Sequence, residues 1–122
     1  MRAHSPASGS RSDETAAKVD FLRCPDAYGE HPRSVTTRQT HMSWVFLTDD
    51  RVYKLKKPVR LPFLDFSTPQ LRRRYCREEL RLNRRTAPQL YLDVVPIGGT
   101  LRAPRVGLGG PALEHAVRMR RF

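Results

Sequence analysis

Arg51-Val52-Tyr53-Lys54-Leu55-Lys56-Lys57, followed after a proline-broken crossing by Arg77-Glu78-Glu79-Leu80-Arg81-Leu82, is the stretch on which the fold turns. Read as a strand, the first segment alternates with period two. Val52, Lys54 and Lys56 then share one face, and Tyr53 and Leu55 share the other. Read as a helix at about 100° per residue, the second segment gathers Leu71, Tyr75 and Leu82 on one side, with Cys76, Leu80 and Ala87 further round. Glu79 falls in the middle of that arc. Arg73, Arg74, Arg77, Arg81, Arg84 and Arg85 occupy the opposite, solvated side. A carboxylate on an inward arc is almost never buried without a partner, so Glu79 calls for a cation from elsewhere in the fold, and Lys54 or Lys56 supplies it. The competing reading is a lysine ladder on an exposed sheet face. Glu78, at the arginine boundary, reads as an ordinary exposed pair with Arg74 or Arg81.

Working outward, residues 35–39 and 44–48 have strand composition, and short connections join them to 51–56 as three successive antiparallel strands. Pro58 and Pro62 interrupt regular structure, so Leu61 to Phe66 is expected to cross as an apolar loop docked on the sheet. The helix start is marked twice. Ser67 and Gln70 have capping-box spacing, whereas Thr68 as cap places Pro69 at the first helical position. The helix is expected to run to Thr86, with Pro88 beyond it. Residues 90–97 and 113–119 complete the strands, and residues 98–110, with five of the seven glycines, read as a long mobile connection. The expected fold is α+β, a five-stranded antiparallel sheet with one principal helix packed across it. If Tyr53 and Leu55 face the helix-covered core, the lysines face a cleft.

Residues 1–17 have almost nothing to bury and are expected to form a disordered tail, and residues 18–28 to form a short helix stopped near Pro25 or Gly29. A chain of 122 residues has room for one domain or one lobe of a larger one, here residues 18–122. With 23 Lys and Arg against 12 Asp and Glu, a net charge of +11 favours anionic partners. Cys24 and Cys76 lack the spacing of a zinc site or a disulfide framework, and are expected to be free thiols in a reducing cytoplasm. No stretch has the length or apolarity of a membrane span, and none reads as a signal-peptide core. His4, His31, His41 and His115 have no metal-ligand spacing. Gly107-Leu108-Gly109-Gly110 lacks the Lys-Ser/Thr ending of a Walker A loop.

Several further segments appear in order: Thr40-His41-Met42-Ser43-Trp44-Val45-Phe46-Leu47, Val52 to Val59, Pro62 to Thr68, Glu78 to Arg85, and Ala116 to Phe122. Together they resemble the N-terminal part of bacterial aminoglycoside-phosphotransferase-like proteins of protein-kinase-like fold, often fused to a P-loop kinase domain. The resemblance spans residues 18–122 and implies an ATP-binding N-lobe of five strands and one principal helix. In such proteins a strand lysine held by a helix glutamate contacts ATP phosphates. The resemblance matches Val52-x-Lys54 to the Ala-x-Lys of the third strand, with Lys54 the first candidate for the phosphate contact and Lys56 the second. It matches Glu79 to the helix glutamate, and places Thr40 to Ser43 at the phosphate-covering loop. That loop has no glycine here, so His41 or Ser43 side chains would have to substitute for close backbone approach. Met119 to Arg121 falls at the hinge, where backbone groups would bond adenine.

The same resemblance implies that catalysis needs a C-lobe, which supplies the aspartate that orients the acceptor hydroxyl and the magnesium ligands. The chain stops at the hinge, so it is expected to be a truncated or split product, inactive alone, binding ATP weakly at most and magnesium only with a C-lobe supplied. A separately encoded C-lobe or self-association through apolar surface at Val95, Ile97, Val117 and Met119 is the corresponding partner expectation. The alternative function is a small basic module that binds nucleic acid or a protein through the arginine face. No aromatic or base-reading group is interleaved with those arginines, which disfavours nucleic acid.

Overall fold

The computed structural model describes residues 15–121. Helix α1 occupies described residues 15–22 and gives way to a 3-10 turn at Pro25–Ala27. The expected tail is thus helical at residues 15–17, and its remainder, residues 1–14, lies outside the described residues. The helix expected over residues 18–28 ends at Leu22, and Pro25 opens the 3-10 turn.

Three antiparallel strands follow, β1 (Thr36–Gln39), β2 (Ser43–Leu47) and β3 (Arg51–Lys56). The crossing expected as a docked loop is instead a small hairpin, β4 (Arg60–Leu61) and β5 (Leu64–Asp65), whose tip residue Phe63 is 84% exposed. Only Phe66, at its base, is buried. Helix α2 (Pro69–Asn83) starts at Thr68, whose hydroxyl accepts the Leu71 N–H, with Pro69 in the first turn. Of the two candidate caps, Thr68 is therefore the one used. Residues 84–86 form turns, so the regular helix ends before Thr86.

The chain closes with β6 (Tyr91–Gly99), β7 (Pro104–Val106) and β8 (Glu114–Arg120). The main sheet has six strands in the order β1-β2-β3-β8-β6-β7, all neighbours antiparallel. The α+β class holds, but the strand count rises because the glycine-rich connection folds back on β6 as an edge strand. Gly99 makes that reversal possible. Its φ is +87°, and a side chain there would meet the Ala103 carbonyl oxygen at 2.6 Å.

Both sheet faces are covered. Tyr53, Leu55, Phe46, Val95, Ile97 and Ala116 pack against Val19, Leu22, Ala27 and Tyr28 of the N-terminal segment. Val52, Val117 and Met119 pack around Cys76 of α2. The arrangement in which Tyr53 and Leu55 face the principal helix is therefore not the one adopted. The principal helix lies on the lysine side of β3, and the N-terminal segment covers the Tyr53–Leu55 side. The apolar surface expected at Val95, Ile97, Val117 and Met119 is buried within the chain itself, at 7% exposure or less.

Candidate functional site

Because α2 crosses the lysine face, Glu79 reaches both lysines of β3. Its Oε1 lies 2.8 Å from Lys56 Nζ, and its Oε2 lies 3.1 Å from Lys54 Nζ. The two contacts differ in setting. The Lys56 side chain is 9% exposed and that of Lys54 is 30% exposed. Lys56 Nζ also stands 5.1 Å from the Phe66 ring centre, and Lys54 Nζ 5.7 Å from that of Tyr91.

The electrostatics follow from this sharing. Burial pushes the Glu79 carboxyl up, but hydrogen bonds and charge from Lys56 and Lys54 outweigh it, and the group ends below its ordinary value. Burial likewise pushes the Lys54 ammonium down, and Glu79 outweighs that, leaving it raised. Both groups are charged at neutral pH. Two ammonium groups share one carboxylate, so a surplus positive charge remains on the half-exposed side of the cluster. Such a donor set is complementary to phosphate oxygens.

Tyr91 reaches this cluster through an irregularity that strand periodicity does not show. Tyr91 pairs with Met119 and Asp93 with Arg118, so Leu92 is an extra residue in β6. The bulge turns Tyr91 onto the α2 face, while Asp93 forms a two-bond pair with Arg118, at 2.8 and 2.7 Å.

The other expected site residues are placed as follows. Ser43 pairs with Lys56 across β2 and β3, so its side chain shares the lysine face. His41 is exposed in the turn between β1 and β2. In that turn the Thr40 hydroxyl accepts the N–H groups of Met42 and Ser43, which fixes the loop and occupies two amides that a phosphate-covering loop would use. Met119 is buried on the α2 face between Val52 and Tyr91. Just beyond it the Arg120 N–H donates to the Leu90 carbonyl and the Arg121 N–H to the Asp50 carbonyl. These amides bond within the chain.

Sequence reasoning passed over Arg72. This guanidinium is buried, holds Glu114 of β8 through two bonds at 3.0 and 2.6 Å, and donates to the Phe66 carbonyl at 2.8 Å. Lys18 of α1 joins the same carboxylate at 2.8 Å. The signal was present in the spacing: seven residues before Glu79 is nearly two helical turns, so both share the inward stripe. Arg72 thereby fixes the residue whose ring stands beside Lys56.

Of the solvated arginines, Arg81 pairs with Glu78. A shallow hollow of about 510 Å³ is lined by Ala17, Asp20, Phe21, Cys24 and Arg102, beside α1 and away from the lysines. The site is defined by charge and register. Among the described residues no cluster of His, Cys, Asp and Glu could hold a metal ion. Among them, no helix is long and apolar enough to cross a membrane.

Compared with known proteins, the chain is 44% identical over 88 residues to uncharacterized proteins of Mycobacterium bovis and Mycobacterium tuberculosis. The match covers 72% of this chain and 16% of each relative, so it spans a minor part of their length. No family model matches the chain. No solved structure matches it.

Proposed function

We propose that this chain is the ATP-binding part of a kinase-like small-molecule phosphotransferase, with Lys54 directed to the nucleotide phosphates and Glu79 holding the lysine cluster. The observation that carries this reading is the ion-pair cluster of Lys54 and Lys56 on the third strand with Glu79 on the helix that follows. In protein kinases a lysine of the third strand pairs with a glutamate of the next principal helix, and the ammonium engages the phosphates. The six-stranded sheet with α2 on its lysine face is compatible with a kinase-like N-lobe. Ser43 stands beside Lys56 and is placed to add a hydroxyl donor. Acceptor orientation and magnesium binding need acid groups that a C-lobe would supply, so phosphotransfer to a small hydroxyl-bearing acceptor belongs to an assembly larger than these residues.

The test is a titration of the full chain with ATP and, separately, with a short DNA duplex, at two salt concentrations. The proposal expects weak ATP binding that Lys54→Ala reduces and that Arg77→Ala with Arg81→Ala leaves in place. Strong duplex binding that falls steeply with salt and depends on the arginines, with Lys54 irrelevant, would replace it with the basic-module reading.

A further inference from the structure

The flank of α2 opposite Glu79 carries charge that no acidic group answers among the described residues. Cys76 faces the sheet. At about 100° per residue, Glu79 lies about 60° round from it to one side, and Arg73 and Arg77 about 60° and 100° to the other. Glu79 looks toward β3, so the arginine flank looks across β8 toward β6, in the strand order β3-β8-β6. His115 of β8 alternates with Val117 and Met119 on this α2 face, pairs with Pro96 of β6, and accepts the Cys76 thiol on its carbonyl. We propose that Arg73, Arg77 and His115 form a binding site for a tetrahedral oxyanion of the phosphate class, separate from the Lys54–Lys56 cluster. The nucleotide reading is not needed for it.

Arg73 and Arg77 are exposed and one helical turn apart, about 6 Å along the axis, so their like charges repel. Glu78 pairs with Arg81 and acts on Arg74 and Arg85, which leaves these two arginines unanswered among the described residues. Each guanidinium fork can give two N–H groups to one oxyanion. Beneath them the His115 ring is half-buried, and its Nδ1 is buried with no hydrogen-bond partner among the described residues. A proton on Nδ1 would be an unpaired buried donor, so the neutral ring carries its proton on Nε2, where a ligand can accept it. Burial first, and then Arg73 and Arg77, hold the imidazole below its ordinary value against Glu114 of the same strand. Glu114 is committed to Arg72 and Lys18, Lys56 of β3 to Glu79, and β6 contributes the uncharged Pro96. An anion between the arginines would relieve their repulsion and accept from Nε2. Donors arriving from a helix and a strand suit a tetrahedral oxyanion better than a planar carboxylate with two oxygens.

The experiment follows the His115 imidazole of the full chain by NMR from about pH 5 to 8, in sodium chloride and in sodium sulfate of equal ionic strength. His115→Gln assigns its signal among the four histidines. Sulfate is the probe because, unlike phosphate, its charge is constant over that range. In chloride the apparent pKa is expected below the usual histidine value, and sulfate is expected to raise it by about half a pH unit or more. Arg73→Gln with Arg77→Gln, both at exposed positions outside the core, should raise the chloride value and abolish the sulfate response. Lys54→Ala should leave that response in place. In a further arm a short DNA duplex replaces sulfate. A half-buried ring admits a compact anion but not a duplex backbone, so no response to the duplex is expected. Equal His115 titrations in chloride and sulfate, or a sulfate response that survives loss of both arginines, would overturn the site. A response lost in Lys54→Ala would overturn it by moving the anion to the lysine cluster. A duplex response larger than the sulfate one, and dependent on the two arginines, would overturn it in favour of nucleic acid.

Discussion

Arg72 and Glu79 stand seven residues apart on the same stripe of α2, and each closes an ion pair with a different strand of the sheet. Arg72 binds Glu114 of β8, and Glu79 binds Lys54 and Lys56 of β3. The helix is thus tied to the sheet by charges of opposite sign, with Cys76 as the apolar contact between them. That arrangement fixes the height and rotation of Glu79 over the lysines.

Removing one partner of the deeper pair strands the other. Arg72→Ala leaves Glu114 buried with Lys18 alone, and is expected to cost about 3 kcal/mol of stability, while the triple variant Arg72→Met, Glu114→Leu and Lys18→Met, which strands no charge, recovers most of the loss. Urea unfolding midpoints at neutral pH check this. A small effect of Arg72→Ala would mean that Lys18 satisfies Glu114 unaided.

The acid limb of the stability profile should carry the signature of Glu79. Its folded value lies below its unfolded one, so its contribution is complete above the unfolded value near ~4.3 and disappears as pH falls through the folded value. Lys54 has the opposite sign. Raised on folding, it contributes below its unfolded value near ~10.4, and its contribution is lost as pH rises through the folded value. Between these limits both contributions are flat. Glu79→Gln is therefore expected to flatten the stability loss below about pH 4.5, measured by urea unfolding from pH 3 to 7. An unchanged acid limb would assign that loss to other carboxylates.

The two thiols should react at very different rates. Cys24 is exposed, whereas Cys76 is fully buried and its thiol is pushed up to about 11 by burial. At pH 8 a disulfide reagent is expected to label one thiol of the native chain rapidly and the second only on unfolding. Cys24→Ser should abolish the fast phase. Rapid labelling of both thiols would show that α2 leaves the sheet in solution.

The legibility of this fold in its sequence varies with the physical signal. The hairpins β1 to β3 were readable because alternation and short turns leave few other pairings. Glu79 was readable because a carboxylate on an apolar arc is anomalous. Arg72 carried the same anomaly, but was masked by the arginines around it. Which sheet face carried α2 was not readable, since both faces of β3 are covered and alternation ranks neither. The Leu92 bulge was hidden for a related reason: period two extrapolated back from Val95 places Tyr91 on the wrong face. β7 escaped notice because Pro104 to Val106 is too short to show a pattern, and its pairing depends on the reversal at Gly99.

The measurement that tests the central claim most directly is calorimetric titration of the full chain with ATP, ADP and adenosine, repeated on Lys54→Ala. If the surplus ammonium of the Glu79 cluster receives phosphate, affinity should rise with the phosphate chain in the wild-type protein, and Lys54→Ala should erase the difference between ATP and adenosine. Equal affinity for ATP and adenosine in the wild-type chain, or a phosphate dependence untouched by Lys54→Ala, would contradict the account.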